Sequence, residues 1–311
     1  MSLQEKYINP FTDFGFKRLF GSEFNKELLI DFLNQVLQGR EQIQDLTYLN
    51  PENLGKTEAD RKAVFDLYCE NERGEKFIIE LQNVRQEFFK DRSIFYGTFP
   101  LQQQAPKGKD WDYSLKAVYT IGILNFSFPD QPGLERYRRE VQLVDTQTHQ
   151  VFYDRLTFIY LEMPRFRKEE PELETPFDKW MFVLKNLPRL QERPRRLQER
   201  VFERLFREAE IAKLNREDMN AYEQSLKIYR DNKNALDYMK KEGREEGRQE
   251  GRVEGKAEGR AEGRAEGRAE GKAEGKIEAL LAVAKGMKEQ GIDVNAILKI
   301  TGLTKEQIDQ L

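Results

Sequence analysis

The chain has 311 residues, 38% of them hydrophobic and 34% charged, with a formal net charge of −3. That length exceeds one average domain, and the near-neutral balance excludes a global pull towards nucleic acid, so any phosphate binding must come from a local patch or a metal. One cysteine, Cys69, excludes an intramolecular disulfide, and one histidine, His149, excludes a His-based metal cluster or a Ser-His-Asp triad. Aromatic residues crowd the first two thirds and the excess of charge follows Pro164, so the core is expected early. No stretch of about 18 uncharged apolar residues occurs and the first residues lack a basic start with an apolar run, from which a soluble, cytoplasmic protein is expected.

In chain order, Asp13 to Phe20 reads as a short helix with Asp13 and Lys17 on one face. Leu28, Leu29, Phe32, Leu33, Val36 and Leu37 recur at the spacing of one helical face, and Gly39 stops them, which predicts an amphipathic helix over 23–38. Ala63 to Glu70 and Lys76 to Asn83 alternate in character across Glu72-Arg73-Gly74, the pattern of a β-hairpin. A helix is predicted from Gln86 to about Gln104, weakened by Gly97 and Pro100. Strands follow at 116–126, 140–146 and 151–162, so the order is mixed α/β.

From Thr175 to Lys241 the spacing of Leu197, Val201, Leu205 and Ile211 is helical, with breaks at Pro188 and Pro194. From Gly243 to Gly275 glycine recurs every fourth residue between Glu and Arg or Lys. Residues four apart there carry the same charge, and each glycine costs about 1 kcal/mol against alanine, so a flexible charged spacer and a long helix both stay open. As a helix, its glycine stripe would wind right-handedly. Beyond it, 277–290 reads as a helix, Asp293 caps a second through Ile300, and Thr304 with Gln307 forms the capping box of a third. The organisation expected is a core over 1–165, a helical extension over 166–241, the repeat over 242–276 and a small helical unit over 277–311.

The hairpin carries the chemistry. If it turns through three residues with Gly74 in the left-handed conformation, Asp66 lies opposite Glu80. Val64 then shares that face with Gln82 and Tyr68 with Ile78, while Phe65, Leu67 and Cys69 turn to the core with Ile79 and Leu81. Two carboxylates so paired have β-carbons about 5 Å apart and repel each other. On a partly apolar face that repulsion calls for compensation. A divalent cation is the natural candidate: hard oxygen ligands suit Mg²⁺ and Mn²⁺, and a mostly hydrated Mg²⁺ needs only one or two protein carboxylates. The competing reading is a solvated hairpin face with ordinary acidic residues.

Thr12 to Gly21, Val64 to Cys69 and Phe77 to Gln82, with Arg92 to Tyr96 and Val118 to Phe126, resemble the PD-(D/E)XK nuclease superfamily. Within it they resemble the Rpn family of recombination-promoting nucleases and transposase-like proteins of bacteria. The resemblance covers most of residues 7–165. It implies a restriction-endonuclease-like mixed β-sheet flanked by helices, on which Asp66 and Glu80 bind Mg²⁺ or Mn²⁺. Asp13 looks like an accessory carboxylate ligand, and Gln82 stands where the superfamily usually has lysine. A neutral amide can position water only by hydrogen bonding, so Lys17 and Lys62 are candidates for the missing cation, against the reading of ordinary solvated lysines. The implied chemistry is phosphodiester hydrolysis of DNA, in recombination, mobile elements or defence against foreign DNA. RNA as substrate, or a catalytically silent scaffold that binds nucleic acid or protein, are the alternatives.

Between Lys185 and Lys213 nine Lys or Arg face five Glu, which makes Arg195, Arg196 and Arg200 candidate phosphate contacts against the reading of a helix laced with ion pairs. The terminal unit carries Glu306 and Asp309 on its last helix, which would repel phosphates, so homo-oligomerisation through the tail is expected rather than DNA readout.

Overall fold

The computed structural model describes residues 5–50, 65–105, 112–129 and 136–311. Val64 and Lys62, which figured in the sequence reading, lie outside them. The chain divides into two units, residues 1–236 and 237–311.

In the first unit the described strands are β1 (Leu46–Tyr48), β2 (Leu67–Asn71), β3 (Lys76–Gln82), β4 (Val118–Leu124), β5 (Arg138–Val144) and β6 (Val151–Glu162). They form one mixed sheet in the order β1-β2-β3-β4-β6-β5. The β3–β4 and β4–β6 pairs are parallel and the others antiparallel. Central β4 is buried at every residue, which is why it reads as an unbroken apolar run instead of an alternation.

The two faces of the sheet divide the molecule's work. Phe77, Ile79, Tyr119, Ile121, Ile123, Ile159 and Leu161 look towards α1 (Asp13–Phe20), α2 (Lys26–Leu37), α4 (Pro176–Asn186) and α5 (Arg200–Glu208). There Phe20, Phe32, Trp180 and Phe202 pack ring against ring at centroid distances of 5.2 to 5.8 Å. Helices α4 and α5, expected as an extension beyond residue 165, therefore share the main core. The start of α6 (Arg216–Glu289) docks on the N-terminal segment: the Tyr222 hydroxyl accepts the Asn9 N–H at 3.0 Å, and Arg18 pairs with Asp218 at 3.1 Å.

The opposite face holds Ile78, Glu80 and Gln82, then Thr120, Gly122 and Leu124, then Phe158, Tyr160 and Glu162, in register across β3, β4 and β6. It is covered by α3 (Phe89–Gln103), which runs unbroken through Gly97 and Pro100. Those residues weaken an isolated helix, but packing decides here. A side chain at Gly97 would sit 3.1 Å from the Phe158 ring and 3.3 Å from the Thr120 hydroxyl, so glycine is what lets α3 lie close on the sheet. Ser93, one turn earlier, hydrogen-bonds the Tyr160 hydroxyl at 2.7 Å.

The short strand β1 had no sequence signal. Leu67 starts β2 with Asp66 in a bend before it, and Phe65 consequently leaves the face expected for it: it packs with Tyr68 and Ile78 under α3, not with Leu67 and Cys69.

The glycine repeat is helical, part of the continuous α6, and a β-carbon built on any glycine from Gly243 to Gly275 would meet no neighbouring atom within 4 Å. Residues 277–289 continue that helix instead of starting a new one. In the second unit Ala284, Ile297, Leu303 and Ile308 close a small core. Asp293 caps α7 (Val294–Thr301), and Thr304 with Gln307 forms the capping box of α8 (Lys305–Asp309). Among the described residues no helix is long and apolar enough to cross a membrane.

If α3 is seated through Gly97, Gly97→Val should destabilise the protein by about 1–3 kcal/mol through overpacking against Phe158. Urea denaturation measures this, and an unchanged midpoint would mean that α3 does not rest on the sheet at this point.

Candidate active site

The carboxylate pair is positioned by a turn. Gly74 adopts φ +82°, and Asn71 and Glu75 close the three-residue loop between β2 and β3. The ladder pairs Tyr68 with Ile78 and ends with Leu67 and Ile79, and Asp66, in the bend just before it, lies beside Glu80. Side chains take over the hydrogen bonding there. The Leu81 N–H donates to Asp66 Oδ2 at 2.6 Å, and the Asp66 N–H donates to the Glu80 carboxylate.

Both acids are held in a poor medium for charge. Burial raises the Asp66 carboxyl above the usual carboxylate range; the Leu81 N–H partly offsets this, the Asp13 charge adds to the rise, and Lys17 and Arg92 relieve some of it. Burial and then the Asp66 charge push Glu80 up to about 8. Glu80 Oε1 is buried without a hydrogen-bond partner among the described residues.

Glu162, on the same face of the sheet and fully buried, is an internal comparison. Its Oε1 accepts from Arg139 at 3.1 Å, and its Oε2 accepts from Arg165 at 2.8 Å and from the Phe128 N–H at 3.0 Å. The fold thus neutralises one buried glutamate twice over and leaves the other facing a second carboxylate.

Gln82 is fixed at both ends of its amide. Arg92 Nη2 donates to its Oε1 at 2.5 Å, and its Nε2 donates to the Val84 carbonyl at 3.0 Å. Arg92 is itself held by Gln86 at 2.5 Å and lies over the rings of Phe89 and Tyr96. The positive charge beside Gln82 thus comes from Arg92 on α3. Sequence reading placed Arg92 in a matching stretch but gave it no role; a neutral residue at a lysine position was the available signal, and no spacing said which cation answers it.

The other candidates are placed differently. Asp13 and Lys17 pair with each other at 2.8 Å on the exposed side of α1, near enough to act on Asp66 electrostatically. Among the described residues no group of three His, Cys, Asp or Glu side chains converges, so Asp13 does not stand with Asp66 and Glu80 as a third ligand here. The arginine-rich stretch belongs to the layer on the other face of the sheet. Arg193, Arg204 and Arg207 pair with Glu203, Glu27 and Glu208 there. The Arg196 backbone N–H donates to Glu170, whereas exposed Arg195 and Arg200 have no partner among the described residues.

A family model described as PD-(D/E)XK nuclease family transposase matches residues 10–239. The chain belongs to that family. No curated protein and no solved structure matches it. The match contains Asp66, Glu80 and Gln82 and extends through α5 into α6, in agreement with the shared core, and it stops short of the glycine repeat.

PD-(D/E)XK nucleases generally use divalent metal ions, and the residues of this chain fit one. Its donors are hard carboxylate oxygens, one of them buried and unpartnered, with a charge repulsion that a cation would relieve.

The raised Glu80 carboxyl has a definite consequence for the metal-free protein. A folded value of about 8 against 4.5 unfolded means that the folded state keeps the proton longer. Its stabilising contribution is full below about pH 4.5 and is lost as pH rises through 8, with a slope of at most about 1.4 kcal/mol per pH unit. Chemical denaturation in EDTA from pH 5 to 9 should show this fall, and Glu80→Gln should flatten it; equal slopes in both proteins would mean that Glu80 is not the group titrating.

Proposed function

We propose that this member of the PD-(D/E)XK family is a DNA endonuclease dependent on Mg²⁺ or Mn²⁺, acting in the cytoplasm in recombination, mobile elements or defence against foreign DNA. The observation that carries the reading is the buried, unpartnered Glu80 Oε1 beside Asp66. Asp66 and Glu80 would hold the metal, with Asp13 as a supporting or orienting carboxylate. A bound Mg²⁺ or Mn²⁺ supplies Lewis-acid polarisation of a phosphate and a lowered pKa for water. Gln82 orients the attacking water by hydrogen bonding, and its amide cannot rotate freely because Arg92 and Val84 hold it. The Arg92 guanidinium places fixed positive charge where negative charge develops on the phosphate. Lys17, Lys62, Arg195, Arg196 and Arg200 are candidates for contacts to the backbone further from the reacting centre.

Functionally, residues 1–165 are assigned the chemistry, 166–241 its helical cover, 242–276 the repeat and 277–311 a terminal assembly unit. A scaffold role draws on one observation: Gln82 Oε1 already accepts from Arg92 and is less available to water. RNA as substrate shares the phosphodiester geometry.

Purified protein should nick or linearise supercoiled plasmid with Mg²⁺ or Mn²⁺ and not with EDTA. Asp66→Asn and Glu80→Gln should abolish cleavage, and Arg92→Ala should lower it about 10–100-fold, as expected for a group that orients a reacting residue. Cleavage that persists in both carboxylate variants would point to a contaminant. No cleavage and no Mn²⁺ uptake by folded protein would favour the scaffold, and digestion of matched RNA but not DNA would change the substrate.

Homo-oligomerisation through the tail is part of the same proposal. Light scattering should give a lower mass for a chain ending at Lys241 than for the full chain, and equal protomer numbers would remove the tail from the assembly.

A further inference from the structure

Helix α3 completes its inward face with Phe89, Ser93, Gly97 and Pro100, all buried. It nevertheless turns large rings to solvent: Phe88, just before its first residue, is 66% exposed, and Phe95 is 48% exposed. The Phe88 carbonyl accepts the Arg92 N–H at 2.9 Å, so the helical turn already includes Phe88. Phe88, Arg92 and Phe95 therefore follow one another at the i, i+4, i+7 spacing of a single stripe. Its middle residue is the one hydrogen-bonded to Gln82. Its far end is rigid, because Phe99 meets Phe95 edge-on at 5.0 Å. Phe99 and Tyr96 rest in turn on Phe65, Tyr68 and Ile78, the strand pair that carries the two carboxylates. The aromatic edge thus borders the candidate site.

The chemistry of the stripe narrows its occupant. An apolar partner would ask for contiguous apolar surface, whereas Arg92 stands between Phe88 and Phe95 on this stripe, its guanidinium held over Phe89 and Tyr96, and Arg85, Lys90 and Arg92 outnumber Glu87 and Asp91 along the segment. Ring, cation, ring is the alternation met by base, phosphate, base in a nucleic-acid strand. In a continuous duplex each base is stacked on neighbours about 3.4 Å away and offers no free face. Seven residues of helix separate the two rings by about 10 Å, so they suit bases that are not stacked on each other.

We propose that Phe88, Arg92 and Phe95 form a stacking platform for unpaired bases flanking the scissile phosphate, so that the site takes an unpaired strand, a flap or an opened duplex in preference to continuous duplex. The proposal rests on the nuclease reading for the position of the phosphate.

The test is anisotropy of the full-length protein in EDTA with a labelled single strand of about 20 nucleotides and with its duplex, and with a 2-aminopurine strand whose quenching reports stacking. The single strand should bind about 10-fold tighter than the duplex. Phe88→Ala with Phe95→Ala should remove about 10-fold of single-strand affinity and the quenching, leave the weak duplex binding unchanged, and be rescued by Phe88→Trp with Phe95→Trp. Equal single-strand affinity in wild type and alanine variant, or a preference for duplex, overturns the platform. So does loss of self-association in the alanine variant with oligonucleotide binding intact, which would assign the edge to protein contact. The two readings fail separately. Plasmid cleavage with aromatic-independent binding sinks the platform alone, and aromatic-dependent binding without metal-dependent cleavage sinks the nuclease alone.

Discussion

Two carboxylates face each other across β2 and β3 in a setting that cannot solvate both. Asp66 and Glu80 each receive a backbone N–H from the opposite strand, which fixes their directions but does not cancel their charges. The same sheet solves the same problem differently at Glu162, with two arginines and an amide. A chain able to neutralise a buried glutamate completely, and doing so two strands away on the same face of the sheet, has left Glu80 without such neutralisation. Under the proposed function, burial that is costly without a cation would fix the two carboxylates before one binds.

That arrangement is reached through packing remote from the charges. Gly97 lets α3 approach Phe158 and Thr120, and Ser93 ties it to Tyr160. Arg92, adjacent to Ser93, is thereby delivered to Gln82. The orientation of a neutral amide in the site thus depends on a glycine and a serine on the helix across from it. A lysine in place of Gln82 would carry its own charge on a flexible stem; here the amide is neutral, and the charge beside it belongs to a guanidinium stacked on Phe89 and Tyr96.

What could be read from the sequence follows from how local each signal is. The nearness of Asp66 to Glu80 was legible because a three-residue turn with left-handed Gly74 sets the register that pairs Leu67 with Ile79. Helix α2 was legible from its apolar periodicity and from Gly39 after it, although the expected start at Glu23 is a separate 3₁₀ turn over Glu23–Asn25. Phe65 was misplaced because alternation assumes an unbroken strand, and the bend at Asp66 interrupts it. Strand β1 is too short for any period, and it exists through pairing with β2 alone. The role of Arg92 was not legible, since it depends on where α3 lies on the sheet. The extent of the core was underestimated because charge density after Pro164 hides Trp180, Phe202 and Leu205, which are spaced as one buried face per helix.

The repeat in α6 brings these limits to their sharpest form. Propensity and like charges four apart both argue against a helix, yet the segment is helical from end to end. The geometry of that helix restricts what its glycines can do. A four-residue period advances about 400° against the 360° of one turn, so the stripe drifts about 40° with each repeat and leaves any straight partner within a few repeats. Arg and Glu stripes two residues apart fall on nearly opposite sides, so opposite charges find each other only between helices and not within one. Contacts made by this segment are therefore short, electrostatic and sensitive to salt, unlike the apolar seam of a coiled coil. The family match ends before the repeat begins. Beyond the repeat the chain closes a small core of its own from Ala284, Ile297, Leu303 and Ile308.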